Sequence, residues 1–261
     1  MKKLLSIILV LILSLSCFSL ISCDKDELSA EQLAAYNAYT SALEKTNSFK
    51  CLDGKLDMDI TMNVQGTTQS VSYKFNMKAT DVKTPKTMKM RLDGTMNLAG
   101  QSIVMDCYME DGWAYYDMTT LGQNMKFKTN LAGGNDEYSQ MFNMGSVDLP
   151  KSLFKKITVA EKADGSKELS LTLSGAQLLE LYPDFAASAG TDTKPSDISD
   201  ASVTATVDAN GYLAKTVITY GMVIQGIRAN ATLTVEYFNL GQDVTVEPIE
   251  GYQSFPEQSL S

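Results

Sequence analysis

Residues 105–118 read MDCYMEDGWAYYDM. Asp111-Gly112 is the dipeptide that a two-residue β-hairpin turn favours, because both turn positions need positive φ. Pairing outward from it sets Glu110 opposite Trp113, Met109 opposite Ala114, Cys107 opposite Tyr116 and Met105 opposite Met118. A strand alternates its faces with period two, so this register gathers the apolar side chains on one face. The other face stacks Tyr108 against Tyr115, beside Trp113.

The same alternation continues on both sides of the hairpin. Leu52, Leu56, Met58, Ile60, Met62 and Val64 share one phase, as do Val71, Tyr73, Phe75, Met77 and Ala79, and then Met88, Met90 and Leu92. Further on, strands are predicted at Ile157–Ala160 and Leu169–Leu173 across Asp164-Gly165, and at Val203–Val207 before a turn at Asp208–Gly211. Two long strands follow, the last alternating Ala229, Ala231, Leu233, Val235 and Tyr237. Helices are fewer. Ser29 and Gln32 form a capping box for a helix to about Asn47, with Leu33, Tyr36, Thr40 and Leu43 at helical spacing. Pro150 opens a short helix through Phe154. Ser174 and Gln177 form a second capping box, and Pro183 stops that helix. The stretches NLAGGNDEYSQ and SAGTDTKPSDISD read as loops. Long antiparallel strands with one apolar face need cover, and so few helices suffice only if the sheet wraps round them. The expected fold class is α+β, a strongly curved antiparallel half-barrel with two or three helices on its concave side.

The N-terminus has a different character. Lys2 and Lys3 precede a serine-dotted apolar run, the layout of a secretory leader. The run is long enough to span a bilayer as an anchor, but its five serines weaken that reading. Leu20-Ile21-Ser22-Cys23 resembles a bacterial lipobox, in which the cysteine thiol takes a diacylglyceryl group and the freed N-terminus is often acylated, as with palmitate. Acyl carbons contribute about 0.8 kcal/mol per buried CH₂, so two or three chains hold stably. The expected organisation is a lipoprotein signal peptide at 1–22, a lipidated Cys23, a tether at 23–28, one domain at 29–250 and a tail at 251–261. The expected location is the extracytoplasmic face of the cell membrane.

Taken together, the lipobox, the helix ending EKTNSFK, strands such as LDMDITMNV, and DGWAYYDM, VDANGYLAKTVITY and VEYFNLGQDVTV resemble an uncharacterised lipoprotein family of Gram-positive bacteria. The fold of that family is similar to the carrier LolA and the mycobacterial lipoprotein LppX. The resemblance spans about residues 29–250. It implies a cavity between sheet and helices that carries acyl chains in some related folds, whereas others sense envelope stress by binding a partner protein.

Composition narrows the chemistry. The chain carries 31 acidic and 22 basic residues, a formal net charge of −9, and removing Lys2 and Lys3 makes it two units more negative. Such a charge repels phosphate backbones, so no nucleic-acid partner is expected. Histidine is absent, which excludes Ser-His-Asp and Cys-His catalysis and histidine-ligated zinc. Ser152-Leu-Phe-Lys155 has a serine–lysine spacing without the companion motifs of penicillin-binding enzymes, and a capped turn explains it. Asp53, Asp57 and Asp59 share a strand face and read as solvated carboxylates in preference to a cation site. Asp208-Ala-Asn-Gly211 lacks the later ligands of a calcium loop and reads as a turn. Cys51 lies out of its strand's apolar phase and Cys107 lies in it, so the two thiols are expected to stay apart. No catalytic residue, metal or cofactor is expected, and the protein is read as a non-enzyme. A hydrolase would need an acidic pair facing a cleft.

Methionine is the unusual signal. Ten of the 14 fall between Met58 and Met125, mostly in the apolar phase, and flexible thioethers suit an adaptable cavity. The candidate ligand-binding residues are Met58, Ile60, Met62, Phe75, Met77, Met90, Leu92, Met105 and Met109. Tyr108, Trp113 and Tyr115 are a candidate partner surface. The leading expectation is an apolar-ligand (acyl-chain or lipid) binder or carrier. The alternative is a sensing module that binds an envelope protein through a fully packed domain.

Overall fold

The computed structural model describes residues 28–84, 86–98, 100–131, 148–181, 194–224 and 226–258. The leader, Cys23, the tether up to residue 27, Pro183 and most of the two polar loops lie outside them. A helix α1 (Ala30–Asn47) precedes six strands: β1 (Leu52–Val64), β2 (Thr67–Thr80), β3 (Lys89–Leu98), β4 (Gln101–Glu110), β5 (Trp113–Thr120) and β6 (Gln123–Asn130). A 3₁₀ turn (Lys151–Lys156) leads into β7 (Thr158–Glu161) and β8 (Lys167–Leu173), then helix α2 (Gly175–Leu181). The strands β9 (Ala201–Val207), β10 (Leu213–Ile224) and β11 (Ile227–Phe238) complete the set.

The strands form one open eleven-stranded sheet, ordered β6-β5-β4-β3-β2-β1-β11-β10-β9-β8-β7. Every adjacent pair is antiparallel, and β1 joins the two meanders by pairing with both β2 and β11. The hairpin register read from sequence holds at each pair, Glu110 to Trp113 through Met105 to Met118. Its turn has the expected positive φ, 52° at Asp111 and 77° at Gly112. Two strand glycines mark close backbone approach. A Cβ on Gly94 would lie 1.9 Å from the Lys74 carbonyl oxygen and 2.8 Å from Phe75 Cα, and one on Gly54 would lie 2.9 Å from the Glu236 oxygen.

The helix begins as read. The Ser29 hydroxyl accepts from the Gln32 amide at 3.2 Å, and the Gln32 side chain accepts from the Ser29 amide at 2.9 Å. Its buried face is displaced from the one expected. Ala35, Tyr39, Ala42 and Leu43 are buried, while Leu33 is exposed. The cause is Phe154 on the 3₁₀ turn, which takes Tyr36 edge-on at 5.2 Å and Tyr39 at 5.7 Å and so fixes the helix's rotation. α1 packs over β9, β10 and this turn. At its C-terminal end the Leu213 amide donates to Thr46 Oγ1 at 3.0 Å, and Lys45 reaches the Asn210 carbonyl. The helix therefore ends beside the β9–β10 turn. The second capping box is also present, with Ser174 and Gln177 exchanging side chain-to-amide bonds.

Beyond β11 the chain crosses the face of the sheet opposite α1. Tyr108, Ile249 and Phe255 form a second buried cluster, with Tyr115, Val246 and Tyr252 packed against it. The folded unit thus continues past residue 250, where sequence reading ends the domain. The reason is that three apolar residues in this segment find an aromatic platform that no local pattern announces.

Candidate functional site

The face under α1 is the inner face, and strand register lays its side chains in rows across the sheet. Across β1–β6 one row runs Leu56, Phe75, Gly94, Met105, Met118 and Met125. The next runs Met58, Tyr73, Met96 and Ile103, and a third Ala79, Met90, Met109 and Ala114. All nine candidate residues fall on this face, but they are not equivalent. Met58, Phe75, Met77, Met90, Leu92 and Met109 are buried, whereas Ile60, Met62 and Met105 are only partly so. Met90 and Met109 sit in the most enclosed row, where Ala79, Met90 and Ala114 have no accessible surface.

Exposure rises along the strands toward the β1–β2, β3–β4 and β5–β6 turns. Ile60, Met62, Leu98, Ile103, Met105 and Met118 are half-buried at that end, and Met125 is 45% exposed. In sequence, positions 64–70, 97–102, 119–124 and 222–227, around the strand ends on this side, contain no charged residue. Leu121 at the β5–β6 tip is 76% exposed. The turns at the other end carry Asp81, Lys83, Lys86, Asp111, Asp164 and Asp208. Since α1 ends beside the β9–β10 turn, its N-terminus points toward the uncharged tips.

Sequence reasoning did not single out Tyr73, Met96, Ile103 or Met118, which share this face. The signal was the same period-two phase, and at Tyr73 a phenol in an otherwise hydrocarbon series. Tyr73 is 1% exposed, and its hydroxyl has no hydrogen-bond partner. Burial raises its pKa to about 12, so it remains a donor at neutral pH.

The outer face is polar and cross-linked. Arg91 makes a bidentate pair with Asp106 at 2.9 and 2.7 Å, and its Nη1 donates to the Glu247 carbonyl of the tail at 3.1 Å. Lys55 pairs with Asp57 at 2.7 Å, and Asp53 accepts from Asn239 at 2.8 Å. The aromatic trio expected as a partner surface is largely occupied from within the chain. Tyr108 is 1% exposed. Tyr252 lies edge-on to it at 5.1 Å and to Tyr115 at 4.7 Å, and Lys128 covers Trp113 at 4.9 Å. Tyr108 is corrected from surface to interior, because the tail satisfies its face. The Tyr252 hydroxyl donates to Glu110 at 2.8 Å, and Lys89 pairs with the same carboxylate. The hydrogen bond from Lys89 holds the Glu110 carboxyl below its ordinary value, against partial desolvation and with help from Tyr252. Lys128 on the edge strand β6 donates to the Pro256 carbonyl and accepts from the Gln258 amide, each at 2.8 Å.

The thiols are separate. Cys51 and Cys107 are both free; Cys51 lies just before β1 and Cys107 on β4, with β2 and β3 between those strands. Burial pushes the Cys107 thiol far up from its usual range. Asp208 Oδ1 accepts from the Asn210 and Tyr212 amides at 2.9 and 2.8 Å, closing the turn read from sequence. Among the described residues no group of three or more Asp, Glu, Cys or His is placed to hold a metal. No described helix is long and apolar enough to cross a membrane.

A family model described as a family of unknown function, DUF6612, matches residues 34–252. The matched span ends at Tyr252, the residue that pins the tail. No curated protein matches the chain. Among solved structures, LprF from Mycobacterium bovis is 14% identical with a TM-score of 0.43, covering 85% of this chain and 99% of that one. The ywiB protein from Bacillus subtilis is 12% identical with a TM-score of 0.22, covering 73% and 95%. A LolA superfamily protein from Nitrosomonas europaea is 9% identical with a TM-score of 0.21, covering 79% and 94%. Overlaps below a TM-score of 0.5 carry no argument about what this chain does.

Proposed function

Because the chain belongs to DUF6612, a family of unknown function, its role has to be read from its own geometry, and we propose that it is a non-enzymatic binder or carrier of an apolar acyl chain. The observation that carries this reading is the burial gradient on the inner face of β1–β6. One end is filled, and the other presents half-buried methionine and isoleucine side chains to the uncharged tips. Methionine's unbranched thioether can move aside at small cost, so a methionine-lined face can admit a chain and close over it. A sheet that curls round its inner face, with helices over one half, leaves the other half as the place for a ligand. Burying about ten methylenes at ~0.8 kcal/mol each supplies about 8 kcal/mol before ordering costs, enough for micromolar affinity.

In the same reading the protein is an extracytoplasmic lipoprotein anchored through Cys23. α1 starts seven residues after that cysteine and points its N-terminus toward the tips, so the anchor would bring the open end to the bilayer. Asp53, Asp57, Asp93, Asp106 and Asp117 on the outer face are engaged by lysine, arginine or asparagine, and the chain has no histidine to serve as a general acid or base.

The test is uptake of palmitate and phospholipid by the unlipidated domain, read by native mass spectrometry. Near one-to-one binding is expected, and Met105→Asp should abolish it, because a carboxylate would then face the half-buried rim. A domain that stays empty at saturating lipid would overturn the reading. So would a Met105→Asp variant that folds and binds as before.

A further inference from the structure

Tyr73 stands out among the buried groups of the inner face. Tyr39, Tyr116, Tyr220 and Tyr237, in the same core, are all engaged with other groups. The Tyr73 hydroxyl is enclosed with no partner, and the residue itself is paired with Met58 on one neighbouring strand and Met96 on the other. A dry hydroxyl costs stability that phenylalanine, with the same ring, would not. Its row leads outward through Met96 to the half-buried Ile103, beside the half-buried Met105. Tyr73 therefore sits on the apolar face in a row that extends to its half-buried part.

We propose that the Tyr73 hydroxyl is the polar anchor of the ligand site, donating a hydrogen bond to the carbonyl of an esterified acyl chain. This rests on the apolar-binder reading and goes further by fixing the ligand's chemistry. The residues paired with Tyr73 across the sheet are methionines and its row holds no cation, so an ionised carboxylate would enter this row unpaired at a large desolvation cost. A neutral ester carbonyl accepts the same bond without that cost. The site thus selects a glycerolipid-type acyl ester over a free fatty acid at neutral pH.

The experiment uses the folded domain and displacement of the fluorescent apolar probe N-phenyl-1-naphthylamine by methyl palmitate, palmitate and hexadecane, in the wild type and in Tyr73→Phe. In the wild type the ester should displace the probe at lower concentration than palmitate. Tyr73→Phe should weaken methyl palmitate about five- to tenfold, the worth of one hydrogen bond, and leave hexadecane unchanged. The same substitution should raise the melting temperature of the ligand-free domain, since it removes an unpartnered buried hydroxyl. An unchanged ester affinity, or an equal loss for ester and hydrocarbon, overturns the anchor. A lowered melting temperature also overturns it, by showing the hydroxyl already satisfied. If hexadecane fails to displace the probe even from the wild type, the apolar-binder reading itself falls, and that outcome is visible without the variant.

Discussion

The two halves of the sheet are built to the same plan from different side chains. Across β7–β11 the inner face is made of Leu169, Leu171, Leu173, Val203, Ile218, Leu233 and small alanines, and Met222 is the one methionine there among the described residues. This half lies under α1 and the 3₁₀ turn, with Phe154 fully buried between helix and sheet. Across β1–β6 methionine dominates, and the face is half-open at the tips. Branched side chains have few rotamers and specify one packing, whereas methionine tolerates many. The covered half reads as the scaffold and the methionine half as the part that adapts.

Truncation should separate the halves most strongly. Leu173→Ala, at a position with no accessible surface, should cost about 3 kcal/mol in denaturant unfolding, near the middle of the range for buried leucine. Met105→Ala, on the half-buried rim, should cost less, about 1–2 kcal/mol, because less of its surface is lost from water on folding than at Leu173 and an open rim leaves no sealed cavity. Equal costs would erase the distinction.

Next comes Gly94→Ala, expected to destabilise by about 2 kcal/mol. The added methyl would meet the Lys74 carbonyl at 1.9 Å, a backbone contact that no side-chain rotation relieves. This locates rigidity inside the methionine half and shows that its adaptability resides in side chains, not in the strands. An unchanged denaturation midpoint would contradict that.

The outer face of the same half offers an acid-sensitive feature. The Glu110 carboxyl is held below its ordinary value of 4.5, first by Lys89 and also by Tyr252. A carboxylate whose folded pKa is depressed adds stability above the unfolded value and loses it as pH falls through the folded one. The tail should therefore loosen below about pH 4.5, seen as faster hydrogen exchange at the amides of Lys128 and Gln258. Glu110→Gln should remove most of that pH dependence, and a dependence that survived it would assign the effect elsewhere.

The smallest expected effect on stability is the sharpest for function. Replacing Met105 and Met118 together by leucine should change stability by less than about 1.5 kcal/mol. It should weaken acyl-chain uptake measurably, because the stiffer branched side chains yield less readily. Unaltered uptake would mean that the methionines are filling and nothing more.

Local patterns carried much of this structure. The Asp111-Gly112 turn, its register and the phase of each neighbouring strand were legible because a two-residue turn leaves one pairing and period two leaves one apolar face. The capping boxes at Ser29 and Ser174 were legible for a similar reason, since each closes within three residues. The same alternation put the nine candidate positions together on one face, the inner one. Tertiary contacts decided the rest. Phe154, more than a hundred residues from α1, sets which helix face is buried. The tail residues Ile249, Tyr252 and Phe255 turn Tyr108 from surface into core. Which of the inner-face residues are sealed and which half-open depends on where the helices lie over the sheet. So does the isolation of the Tyr73 hydroxyl: a period-two pattern states which way a side chain points, while only the assembled fold determines what, if anything, waits there to meet it.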